Sequence, residues 1–219
     1  MSVRVENDLL QIKQIVIDMI KITTHQYEDM LLSIQKNDFE LAQAVINMDE
    51  TINRMEEAFI DVSLWKIAKQ QMVASDLRRA VGFISIVREV ERIADYAKNV
   101  CRYFIKYTPS NKLVHYLEEL VAKVIEMLSE VSKIFEEEKI ELAYNMPKYD
   151  VELDRIFKKE NNELIEKIRD VKTKEEIKVI TSTMQQLKYI ERAGLHIISI
   201  TELLIFIIEG RTYDLETPI

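Results

Sequence analysis

Turn-forming residues are almost absent. Three glycines and three prolines serve 219 residues, far too few for the hairpins of a β-rich fold of this length. Cys101 is the lone cysteine, which excludes an intrachain disulfide and a thiolate metal cluster. Gly82, Gly194 and Gly210 lie far apart, so there is no glycine-rich phosphate loop. Basic residues are the minority charge. Thirty Lys and Arg against 38 Asp and Glu give a net charge of −8 and a pI near 5.1, which argues against nucleic acid or anionic lipid as a partner. No apolar run reaches membrane length: Leu195 to Ile208 is about one-third short of the roughly 20 residues of a span, and it contains Glu202. The N-terminal segment carries Glu6, Asp8 and Asp18 among its apolar residues and so reads as an amphipathic helix, not a signal peptide. A reducing cytoplasm is the expected address, with no membrane span and no nucleic acid. What is abundant is apolar and charged side chain together, 47% and 31%, enough core to offset chain entropy.

Six helical segments are predicted, an all-α chain. The first covers about residues 3–36, with Leu9, Ile12, Val16, Met19 and Ile20 on one face. Asn37, with Glu40 three residues on, is read as the N-cap of a second helix running towards Gln70, and Ser75 as the N-cap of a third, with Asp76 in its first turn. The third has the clearest stripe: Phe83, Ile86, Val87, Val90, Ile93, Ala94, Ala97, Val100, Cys101 and Phe104. Thr108-Pro109-Ser110-Asn111 breaks the pattern. A fourth helix is expected over about 112–138 and a fifth over about 140–169, kinked or divided by Pro147. Thr173 and Glu176 open the sixth as a capping box. It ends near Gly210, before a loose or draped tail.

The two halves repeat. Glu40 to Met55 aligns without a gap on Glu141 to Ile156, placing Asp49 on Asp150 and Asn53 on Asp154. Val90 to Val100 falls on Ile190 to Ile200, placing Glu91-Arg92 on Glu191-Arg192. A period of about 100 residues suits a duplicated bundle, not a solenoid. The recurring positions are acidic and four apart, so Asp49 with Asn53, Glu91 with Asp95, and Asp150 with Asp154 form ridges on helix faces. Like charges at that spacing cost an isolated helix about 0.2–0.5 kcal/mol per pair. Facing ridges of oxygen ligands suit hard cations. The plainer reading is a solvated face helped by Arg88, Arg92 and Lys98. His25, His115 and His196 are scattered, and none follows a Glu by three residues, so the Glu-x-x-His pattern of di-iron bundles is absent. His196 reads as a satisfied, partly buried histidine and Cys101 as a small core residue. A metal-carboxylate enzyme on a helical bundle and a purely structural interaction protein both stay open at this point.

The stretch Met72 to Val100 resembles the signature region of the PhoU family. Asp76-Leu77-Arg78 opens a helix, a long apolar run follows, and Glu91-Arg92-Ile93-Ala94-Asp95 closes the motif, with Asn99 at a further position. Tyr189-Ile190-Glu191-Arg192-Ala193-Gly194, followed by His196, is similar. The resemblance implies two tandem three-helix bundles, here residues 1–108 and 109–219. It also implies a non-enzymatic cytoplasmic regulator that restrains phosphate uptake. The partners it implies are the ATPase subunit of a phosphate ABC transporter, a sensor kinase, and a second copy of the chain in a homodimer. A multinuclear iron or zinc cluster on each repeat is a further implication. Carried over, the metal residues are Asp49, Asn53, Glu91 and Asp95 in the first unit and Asp150, Asp154 and Glu191 in the second. Two positions depart from the family pattern. Asn53 stands in place of an acid but still offers a carbonyl oxygen; Leu195 stands in place of the last Asp and offers none.

Overall fold

The computed structural model describes residues 3–70, 72, 74–137 and 139–215. Among the described residues, seven helices follow one another: α1 (Val3–Lys36), α2 (Phe39–Gln70), α3 (Ala74–Tyr107), α4 (Asn111–Glu137), α5 (Ile140–Ala143), α6 (Met146–Asp170) and α7 (Lys174–Glu209). The stripe expected on α3 is buried along its whole length.

Local chemistry explains the helix ends. Asn37 does not cap α2. It takes a left-handed φ of 55° and closes α1, with its own N–H on Ile34 O at 3.4 Å and the Asp38 N–H on Ser33 O at 2.8 Å. That is the paired C-terminal motif for which Asn is the best substitute for Gly. Asp38 is the N-cap, its Oδ1 accepting from the Leu41 N–H at 2.9 Å. Ser75 also falls inside its helix, because α3 begins at Ala74, where φ is 48°. Pro147 divides the fifth predicted helix: α5 stops at Ala143, and α6 restarts with the proline in its first turn, where the missing N–H costs no intrahelical bond. Thr173 caps α7 as expected, its Oγ1 accepting from the Glu176 N–H at 3.2 Å. Gly210 ends α7 at φ 77°. The tail is draped as far as Leu215, which is buried and donates its N–H to Glu202 Oε1 at 2.7 Å.

The first three helices pack on one another, as do α4 to α7, but the two groups share one hydrophobic core. They meet through α1 on α4 and, most extensively, α3 on α7. Contacts along that seam run Gly82 to Ile207, Glu89 to His196, Tyr96 to Tyr189 and Tyr103 to Thr183. The helices are therefore antiparallel. In the repeat register, in which 90 falls on 190, Glu89 corresponds to Tyr189 and Tyr96 to His196. Glu89–His196 and Tyr96–Tyr189 are thus the same contact seen from the two repeats. A pseudo-twofold axis passes through this seam, an isologous interface inside one chain. Residues 195–208 belong to α7, with Ile197, Ile198, Ile200, Leu204 and Ile205 buried, and among the described residues no helix is long and apolar enough to cross a membrane.

Candidate functional site

Two neighbouring residues of α1 set the first acidic face. Gln26 Nε2 donates to Val45 O of α2 at 3.3 Å, and Tyr27 Oη donates to Ile93 O of α3 at 2.9 Å. Both side chains are fully buried, and burial drives the Tyr27 phenol pKa well above its ordinary value. A hydroxyl in such a place stays a donor. Clamped in this way, α2 and α3 run antiparallel with Asp49 and Asn53 against Glu91, Asp95 and Lys98.

Asp49 is 4% exposed. Its Oδ2 takes Lys98 Nζ at 2.8 Å and, more weakly, Asn53 Nδ2 at 3.5 Å. The same ammonium contacts Asp95 Oδ1, while Asn99 Nδ2 donates to Asp95 Oδ2 at 2.9 Å. Burial pulls the Lys98 pKa down, but its hydrogen bonds to Asp49 and Asp95 outweigh that and raise it. One turn along, Glu91 has its pKa raised by burial first and then by the charges of Glu56, Asp95 and Asp49. Glu56, seven residues after Asp49 on the same face of α2, is raised by burial too, with Arg88 and Arg92 opposing. Glu56 was absent from the sequence-based set; its i+7 spacing from Asp49 was the available signal.

The second face differs. Asp154 is 44% exposed and pairs with Lys158 on its own helix at 2.5 Å. Glu191 pairs with Lys188 at 2.8 Å. Asp150 lies on α6, half-buried. Where the first unit sets Arg88 near Glu56, the second sets Lys188 over the Phe157 ring at 5.1 Å to the centroid. Leu195 and Ile198 stand at the positions of Asp95 and Lys98. Among the described residues, no three His, Cys, Asp or Glu side chains converge as a metal-binding group. As the side chains stand, neither face fits an iron or zinc cluster: Lys98 closes the first, and in the second Asp154 and Glu191 are paired with lysines of their own helices.

His196 is a further polar node on the seam. Its Nδ1 meets Glu89 Oε2, and its Nε2 lies 3.4 Å from Tyr96 Oη, with 19% of the side chain exposed. Nothing in the spacing of α7 points to Glu89, because that partner comes from the other repeat.

A duplicated three-helix unit with paired acidic motifs has a match among known families: the PhoU domain, found twice, at residues 16–104 and 117–204. The chain belongs to the PhoU family. The phosphate-specific transport system accessory protein PhoU homolog of Clostridium acetobutylicum is 28% identical over 214 residues, covering 96% of each chain. PhoU of Escherichia coli is 28% identical over 211 residues, covering 94% of this chain and 86% of its own length. The crystal structure of PhoU from Pseudomonas aeruginosa superposes with a TM-score of 0.86 at 26% identity, covering 94% of this chain and 99% of that one. That of the phosphate transport system regulatory protein PhoU from Streptococcus pneumoniae reaches 0.87 at 21% identity, covering 96% and 99%, and supports the fold. Both PhoU repeats are therefore present and folded into one helical body.

Proposed function

We propose that this PhoU protein is a cytoplasmic regulator that restrains phosphate uptake through protein contacts and carries out no catalysis of its own. The observation that carries this reading is the match of both repeats to a family whose members are named as accessory proteins of phosphate-specific transport. The acidic faces agree with it, since Asp49, Asp95, Asp154 and Glu191 are each paired with a lysine. The partners it calls for are the ATPase subunit of a phosphate ABC transporter and, on the signalling side, a sensor kinase, with a second copy of the chain as a further contact. The test is capture of the purified chain on the ATPase subunit from the same organism, with and without ATP and at low and high phosphate. Binding that changes with nucleotide or phosphate is the expected result, and gene deletion should raise phosphate uptake. No binding under any of the four conditions, with uptake unchanged, overturns the reading.

A further inference from the structure

Lys98 puts an ammonium where an acidic metal centre would put its ion. It lies on α3 one turn beyond Asp95, is 14% exposed, and bridges Asp49 of α2 to Asp95 of its own helix. We propose that in the first unit this ammonium is the resident counter-ion of the Asp49–Asp95 pair, and that the pair takes a divalent cation only when Lys98 is removed. Lysine and metal are then alternative occupants of one site, and the folded resting chain needs no metal there.

Three observations beyond the acidic cluster support this. Asp49 is more than nine-tenths buried, yet its Oδ1 accepts no hydrogen bond, and the buried Asn53 Oδ1 beside it is equally idle. Two hard oxygen acceptors therefore remain next to those that Lys98 occupies, and such donors suit a divalent cation. Among the described residues no other cation bonds the pair: Asp49 and Asp95 each have Lys98 as their ion-pair partner, and Arg92 instead approaches Glu89 at 4.0 Å. The second repeat supplies an internal comparison. There Leu195 stands at the position of Asp95 and Ile198 at that of Lys98, so the acid and its ammonium are both absent and apolar residues stand in their places. A lysine serving solubility alone has no reason to vanish with its carboxylate. Removing only the lysine leaves two facing carboxylates, one of them deeply buried, without compensation, the costly half of a broken buried ion pair.

The experiment strips the full-length chain with EDTA and titrates Mn(II) and Zn(II) by calorimetry, with elemental analysis after dialysis. The wild type, Lys98→Met, Lys98→Arg and the double variant Asp49→Asn/Lys98→Met are compared. Lys98→Met should gain a site of one ion per chain, about ten-fold or more tighter than anything in the wild type or Lys98→Arg. The double variant should lose it. Stripped Lys98→Met should melt below the wild type, and Mn(II) should restore most of the difference. Should Lys98→Met fail to fold without metal, Lys98→Gln carries the same comparison, and folding of Lys98→Met only in Mn(II) supports the proposal. Two results overturn it: stripped wild type taking up one ion as tightly as Lys98→Met, or a folded Lys98→Met with no new site.

Discussion

Lys66 reaches from α2 into the first turns of α1, where its ammonium bonds Asp8 Oδ1 and, at 2.9 Å, Gln11 Oε1, while Gln70 donates to Asp8 Oδ2 at 2.8 Å. The Lys66 hydrogen bond lowers the Asp8 pKa more than burial raises it. A carboxylate depressed in the folded state adds stability that is complete above its unfolded value near 3.8 and is lost as pH falls through the lower folded value. Asp8→Asn should therefore cost about 1.5–3 kcal/mol near neutral pH, the range for a hydrogen bond to a charged group. The gap from wild type in urea unfolding should close as the pH is taken down through the acid range. A gap that stays constant with pH would mean the charge contributes nothing. The opposite case is Cys101, whose thiol pKa burial pushes up to about 12, with Ser33 opposing only in part. It stays protonated and unreactive at neutral pH, as expected of a core residue.

Between helices, close approach decides the outcome. A Cβ on Gly194 would lie 2.1 Å from Leu153 Cδ2, so α7 nears α6 at a point where only glycine fits the present leucine. Gly194→Ala should cost about 1–3 kcal/mol by overpacking. Leu153→Ala in the same chain should recover part of that loss, a coupling that a double-mutant cycle in chemical denaturation measures directly. Strict additivity would place the clash elsewhere. Gly194 sits inside the second acidic motif, and no local pattern distinguishes its packing role from a motif role. The same limit explains which features were legible beforehand. The α3 stripe, the Thr173 N-cap and the break at Pro147 depend on residues near in sequence, and each was readable. Asn37 and Asp38 are both good capping residues, and only the chain's need for a left-handed residue to close α1 gives Asn37 that duty. Lys98 looked like an ordinary i+3 partner of Asp95 on a solvated face, because its second partner, Asp49, arrives by tertiary packing. Glu89 and His196 meet only because two repeats fold onto each other, 107 positions apart.

Across the whole molecule, the pseudo-twofold seam makes the repeats one cooperative body, not two beads on a string. Their core is continuous, and its central pair, α3 and α7, takes one helix from each repeat. Neither repeat can open without exposing apolar surface of the other, and that surface is worth about 25 cal/mol per Å². Urea unfolding should therefore show a single transition by circular dichroism and by Trp65 fluorescence alike. Trp65 is 57% exposed on α2 and reports only the first repeat, so its agreement with the helical signal is a real test. Replacing His196 by Phe, which leaves Glu89 without its ring partner, should weaken both repeats together by about 1–3 kcal/mol. In hydrogen exchange the most protected amides of α2 and of α6 should then lose the same opening free energy, although neither helix carries the substituted residue. Loss confined to α6 would divide the chain into two independent units, because a perturbation on the shared axis would have stopped at one side of it.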